Sequence, residues 1–132
     1  MQKLLLYILV LTFGILTPTN QSSQVSKVNY GETVSIEDVS IVFEKVISDS
    51  RCPKNVTCVW AGEAKVLVTI SKNGKSIEKK ELTFSASAIV EGDENIIYKS
   101  EDFQISGLRL FPYPETTNKI ENNEYCLELK HN

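Results

Sequence analysis

The sequence predicts an all-β fold: a small antiparallel β-sandwich or barrel of about six to eight strands, after an N-terminal signal segment. Three observations carry this prediction. No stretch of the 132 residues sustains a helical period. Several stretches alternate apolar and polar residues with period two, the pattern of a strand with one buried face. Turn signals stand between them. Asn73-Gly74 is the clearest, because both residues tolerate the positive φ angles of a two-residue hairpin turn.

Residues 1–20 read as a signal peptide. Lys3 supplies the positive start, and residues 4–16 form an apolar run that falls short of the roughly 20 residues needed to span a bilayer. No A-x-A cleavage site follows, so an uncleaved membrane anchor stays open as the alternative. Residues 21–132 then read as one β-sandwich-like domain, with no repeat and no low-complexity segment. Removing the leader takes away Lys3 and no acid, which leaves the remainder one unit more acidic than the −3 of the whole chain. That balance argues against non-specific binding to nucleic acid or to anionic membranes. Export places the protein outside the reducing cytosol, where disulfides persist.

The elements follow in order. Residues 21–29 are polar and read as a loose arm. Period two begins near Val34, and Val39, Ile41 and Phe43 then share a face. Val46 and Ile47 break the alternation, which predicts a bulge. After an irregular loop, Ala64, Val66, Val68 and Ile70 form the clearest half-buried strand. The return strand, residues 76–84, places Leu82 and Phe84 on one face. Its charged middle predicts a wet face or an edge position. Residues 85–95 form a loop that ends in Glu91-Gly92-Asp93-Glu94-Asn95. This run lacks the spacing of a calcium loop and reads as a solvated turn. Ile96-Ile97-Tyr98 is a short strand, and residues 103–110 are another, with a slip at Ser106-Gly107. Pro112 and Pro114 stop regular pairing. Residues 116–123 are a polar loop, and Tyr125, Leu127 and Leu129 close the chain as a strand.

The chemistry is concentrated in residues 49–64, which hold two of the three cysteines and the only Trp. Cys52 and Cys58 stand close enough to close a short disulfide ring if their Cβ atoms face each other. A ring this small would stabilise by about 2 kcal/mol, so its main effect is on the shape of the loop. Pairing of Cys126 with Cys52 or Cys58 remains an alternative. Zinc would need two further ligands, and only Cys126 and His131 are left to supply them, so no metal is assigned. Asp49, Arg51, Lys54, Trp60 and Glu63 form a possible binding loop. Arg51 either offers its planar fork to an anion or pairs with Asp49 or Glu63 and holds the loop closed; the second is the structural reading. As the only Trp, beside the bridge and before a strand, Trp60 reads as a core plug. The other reading is an exposed recognition aromatic. Cys126 lies on the opposite face of its strand from Tyr125, Leu127 and Leu129, together with Glu128 and Lys130. That phase points to solvent and to a thiol able to join two chains, whereas the usual burial of free cysteine points to packing under a loop.

The pattern D-S-R-C-P-x-x-V-x-C-x-W-A-G-x-A, residues 49–64, resembles a family of small secreted or lipid-anchored bacterial proteins with no assigned function. The F-x-x-V strand end at residues 43–46, the L-x-P-x-P segment at 110–114 and the Y-x-L-x-L ending at 125–129 are similar to segments that recur in it. The resemblance covers about residues 34–130. It implies an exported, mostly β domain with no enzyme activity and no catalytic residues to carry over. Lipid-anchored relatives carry a cysteine at the end of the signal, and this chain has none there. Asn55-Val56-Thr57 matches a glycosylation acceptor, which a bacterial origin sets aside.

Enzyme chemistry finds no support. The single His131 is the penultimate residue, and no Gly-rich phosphate loop, H-E-x-x-H or G-x-S-x-G occurs. No cofactor and no catalytic residue are assigned. Two functions remain. The first is an exported binding or interaction module, secreted or in the periplasm or cell envelope, that presents the Cys loop to a protein or envelope ligand. A protease inhibitor with Lys54-Asn55 at a projecting tip is one form of it. The second is a structural or accessory envelope protein with an internal motif and no ligand site, either monomeric or joined as a dimer through Cys126. Nucleic acid is not expected as a partner, and a membrane only if the leader is uncleaved.

Overall fold

The computed structural model describes residues 22–85 and 95–132. The expected signal segment, and residues 91–94 of the acidic run, lie outside the described residues. Eight strands follow in order: β1 Gln24–Asn29, β2 Thr33–Ile36, β3 Val39–Asp49, β4 Glu63–Lys72, β5 Lys75–Ser85, β6 Ile96–Lys99, β7 Gln104–Phe111 and β8 Cys126–His131. They form two antiparallel four-stranded sheets, ordered β1-β8-β7-β6 and β2-β3-β4-β5. The fold is a β-sandwich. Among the described residues, no helix is long and apolar enough to cross a membrane.

Period two explains why these residues form strands and which faces meet. Ala64, Val66, Val68 and Ile70 of β4 are all buried, as are Val39, Ile41 and Phe43 of β3. Leu127 and Leu129 of β8, with Tyr125 just before it, answer them from the other sheet. Inner faces of two twisted sheets interdigitate in this way. Each fully buried aliphatic side chain contributes about 1.5–3 kcal/mol of transfer free energy. The close approach of the sheets depends on Gly107. A Cβ there would lie 3.0 Å from the Phe84 ring and 3.1 Å from Leu82.

The predicted hairpin turn is present. Asn73 and Gly74 take φ of 52° and 77°, and β5 returns along β4 as an edge strand. The bulge expected at Val46 and Ile47 is the register shift between Val46 and Ser48; a further shift, between Phe43 and Lys45, was not expected. The slip expected at Ser106-Gly107 falls between Gly107 and Arg109.

Two expectations are corrected. Residues 21–29 were expected as a loose arm, but Gln24–Asn29 is an edge strand paired with β8 from Gln24↔His131 to Asn29↔Cys126. Only Val28 of this strand is buried, so its sequence lacks a clear alternation. Glu128, expected in solvent, is buried because Lys27 and Arg109 close over it from the flanking strands, at 3.3 and 3.0 Å.

Glu37, in the β2–β3 turn, takes a φ of 54° without being glycine. A side chain in the left-handed region costs about 1–2 kcal/mol. Glu37→Gly should therefore raise stability by about 0.5 kcal/mol, after the extra chain entropy of glycine is subtracted. Urea unfolding measures this, and a clear loss of stability would contradict it.

Candidate functional site

The site lies at the end of the sandwich where β3 leaves its sheet and β8 begins. The β3–β4 hairpin continues past its strands. The Ser50 N–H donates to the Glu63 carbonyl, and the Cys52 N–H to the Ala61 carbonyl, both at 2.8 Å. Gly62 fits between them with a φ of 72°, its Cα facing the Ser50 carbonyl so closely that a side chain has no room. Beyond Cys52 the chain forms a small ring closed by the Cys52–Cys58 disulfide, with Cα atoms 6.0 Å apart. The Val56 N–H donates back to the Pro53 carbonyl at 3.2 Å.

Arg51 holds this loop to the other sheet. Its side chain is almost wholly buried, and its fork grips Asp49: Nε donates to Oδ1 at 2.8 Å and Nη2 to Oδ2 at 2.7 Å. Nη1 also donates to the Leu110 carbonyl and Nη2 to the Pro112 carbonyl, both at 2.9 Å. The guanidinium lies 5.2 Å from the centre of the Tyr113 ring, and the Tyr113 hydroxyl donates to the Cys52 carbonyl at 2.7 Å. The Tyr125 hydroxyl donates to Asp49 Oδ2 at 2.9 Å. Three stretches far apart in sequence, residues 49–52, 110–114 and 125, thus meet on one buried ion pair. Such a pair holds because each nitrogen of the fork donates at least one bond; removing one partner typically costs about 3–5 kcal/mol.

The electrostatics follow. Burial pushes the Asp49 carboxyl up, but the Arg51 bonds and charge and the Tyr125 hydroxyl outweigh it, and the net effect is a value below the ordinary 3.8. Burial, then the bond to Asp49 and the charge of Asp49, push the Tyr125 hydroxyl well above its ordinary value. Asp49 is therefore a held anion and Tyr125 a held donor. Neither is poised to exchange protons near neutral pH.

The other expected site residues separate. Glu63 pairs with Lys65 at 3.3 Å, not with Arg51. The Lys54 and Asn55 N–H groups donate to the Pro114 and Glu115 carbonyls at 3.0 and 3.3 Å, so this exposed tip is tied to the segment that follows β7. Trp60 is the main correction. It is 81% exposed, next to Val59 at 88%. The aromatic residue buried at this end is Tyr125 instead, at 5% exposure. Cys126 is half-buried on the outer face, opposite Asn29 and Phe111 in register. Burial pushes its thiol up against the lowering effect of Lys27.

Beside the ion pair lies a cleft of about 490 Å³ that residue-by-residue reading did not reveal. Val46, Ile47 and Ser48 of β3 line it together with Pro114 and residues 116–120. Asp49, Arg51 and Tyr125 of the ion-pair cluster line it as well. Among the described residues, no three His, Cys, Asp or Glu side chains converge to hold a metal ion. Comparison with known proteins finds no matching family model, curated relative or solved structure, so the fold and the site stand on the chain's own residues.

Proposed function

We infer that the chain is an exported interaction module that binds a protein or envelope ligand through the disulfide-closed loop. One observation carries this reading: Val59 and Trp60 are the most exposed large apolar residues described, and they sit on a loop whose base is fixed. A solvent-facing Trp adds nothing to the core, whereas Trp is enriched among the residues that dominate binding energy. The buried Asp49–Arg51 pair, expected of an internal structural motif, is here the foundation on which that loop stands.

Export is supported by the leader-like residues 1–20, by the Cys52–Cys58 bridge and by the resemblance of residues 49–64 to a family of secreted and lipid-anchored bacterial proteins. β1 begins beside His131, at the end of the sandwich away from Tyr125. A strand of six residues spans about 20 Å. A leader retained in a membrane would hold that end near the bilayer and display the loop outward. The alternative of an accessory dimer linked through Cys126 is weakened by the partial burial and raised pKa of that thiol, because the thiolate is the reactive form.

An envelope extract passed over immobilised wild type, Trp60→Ala and Ile77→Ala tests the reading. Ile77, 52% exposed on β5, is the control for an apolar surface residue. Wild type and Ile77→Ala should retain the same partner, and Trp60→Ala should lose at least about tenfold in affinity. The stability of Trp60→Ala should stay within about 0.5 kcal/mol of wild type. Undiminished retention by Trp60→Ala would contradict the reading.

A further inference from the structure

The edge of β3 beside the cleft is open. β3 has eleven residues and β2 only four. β2 covers Val39 to Val42, and Gly31 and Glu32 extend that cover to Phe43 through backbone bonds of 2.8 and 3.0 Å. From Lys45 to Ser48, β3 has only β4 as a neighbouring strand among the described residues. A bare edge presents unpaired N–H and C=O groups, which is why proteins usually cover it or guard it with charge. Here Lys45 is the only charged side chain in residues 45–48, and Ile47 is 44% exposed. Pro114 and residues 116–120 line the same cleft as Val46, Ile47 and Ser48, and no strand among the described residues fills it.

The cleft volume falls within the range of known ligand sites, about 300–1,000 Å³. Its lining includes Thr116, Thr117 and Asn118, whose hydroxyl and amide side chains suit a peptide backbone or polar side chains. The charge balance is positive. Asp49 and Arg51, both in the lining, neutralise each other, and Lys119 has no ion-pair partner among the described residues. The neighbouring acids Glu115 and Glu121 stay outside the cleft lining.

We propose that this cleft binds an extended, acidic segment of a partner polypeptide, which adds as a strand to β3 beside residues 45–48. Strand addition gives affinity through main-chain bonds and selectivity through side-chain pockets. The proposal rests on the reading of the chain as an interaction module and names its partner class. The register shift between Val46 and Ser48 interrupts the ladder, so the added segment pairs over only a few residues. A second copy of the chain fits poorly. The same edge of a second copy carries Lys45 and no acid in residues 45–48, so it offers Lys119 no opposite charge.

The test uses a phage-displayed library of random linear peptides, selected on the immobilised full chain, with the selected peptides then synthesised. The expected sequences carry at least one Asp or Glu. Bound peptide slows amide hydrogen exchange at residues 45–48, and Ile47→Glu and Lys119→Glu each weaken binding by about tenfold or more while leaving the melting temperature unchanged. Absence of any enriched sequence, while Trp60-dependent retention of an envelope partner persists, overturns this proposal and leaves the interaction module standing. Protection confined to residues 52–62 has the same meaning. Protection at residues 45–48 that appears without peptide as protein concentration rises assigns the edge to a second copy and overturns it too. Failure of both peptide enrichment and envelope retention overturns both readings.

Discussion

Gly62→Ala is expected to destabilise the protein by roughly 3–5 kcal/mol, among the larger effects of a single substitution. Two causes add. The φ of 72° is costly for any residue with a Cβ, by about 1–2 kcal/mol. The new Cβ would also collide with the Ser50 carbonyl and lie 3.1 Å from the Arg51 Cα. Relief requires the two sides of the hairpin to separate, which breaks the Ser50–Glu63 and Cys52–Ala61 bonds and displaces Arg51. Gly74→Ala isolates the first cause. It has nearly the same φ, 77°, and no atom within 4 Å of the added Cβ, so it should lose only about 1 kcal/mol. Thermal unfolding of the two variants should differ by roughly 10 °C or more. Equal losses would show that the close approach of Gly62 to Ser50 does not limit the fold.

Arg51→Met should cost about 3–5 kcal/mol, because it leaves the Asp49 carboxylate buried without a cation and removes the donors to the Leu110 and Pro112 carbonyls. Asp49→Leu should be similarly damaging, for it strands the guanidinium. The double variant should be less unstable than the sum, since it removes both charges together, although the two carbonyls stay unanswered. The pH dependence gives a sharper reading. Although burial raises it, the Asp49 carboxyl is held below its ordinary 3.8 by Arg51 and Tyr125. Its contribution is therefore whole above the ordinary value and lost as pH falls through the lower folded value. In Arg51→Met, burial, the Tyr125 bond and the backbone N–H of residue 51 remain, and burial, the largest of these, favours the protonated acid. The stability gap between wild type and variant should be widest near neutral pH and narrow below about pH 4. A gap that does not change with pH would mean that Arg51 acts through packing alone.

The fold was legible where one face of a strand is buried along its whole length. Ala64, Val66, Val68 and Ile70 of β4 and Val39, Ile41 and Phe43 of β3 keep one face buried, and Asn73-Gly74 supplies the turn chemistry between β4 and β5. β1 was not legible, because an edge strand with one buried residue leaves no period to read. At the site, the pairing of Arg51 with Asp49 could be read from two opposite charges at alternate positions of an extended chain. Its other partners could not, since carbonyl oxygens of residues 110 and 112 carry no side-chain signature. Trp60 was misplaced for a related reason. Its apolar bulk argues for burial, but the space beneath the loop is already filled by Arg51, Tyr113 and Tyr125. The cleft depends on the length of β2 relative to β3, which has meaning only once their pairing is known.

The account rests on a buried polar anchor that displays an exposed Trp60, and this chain holds a single Trp to report on it. The direct measurement is Trp fluorescence of the oxidised protein, with acrylamide quenching, before and after unfolding in urea. The account predicts a native emission maximum close to that of the unfolded chain and quenching nearly as efficient. A blue-shifted native emission, protected from acrylamide and moving to the red on unfolding, would place Trp60 in the core and contradict the proposed binding loop.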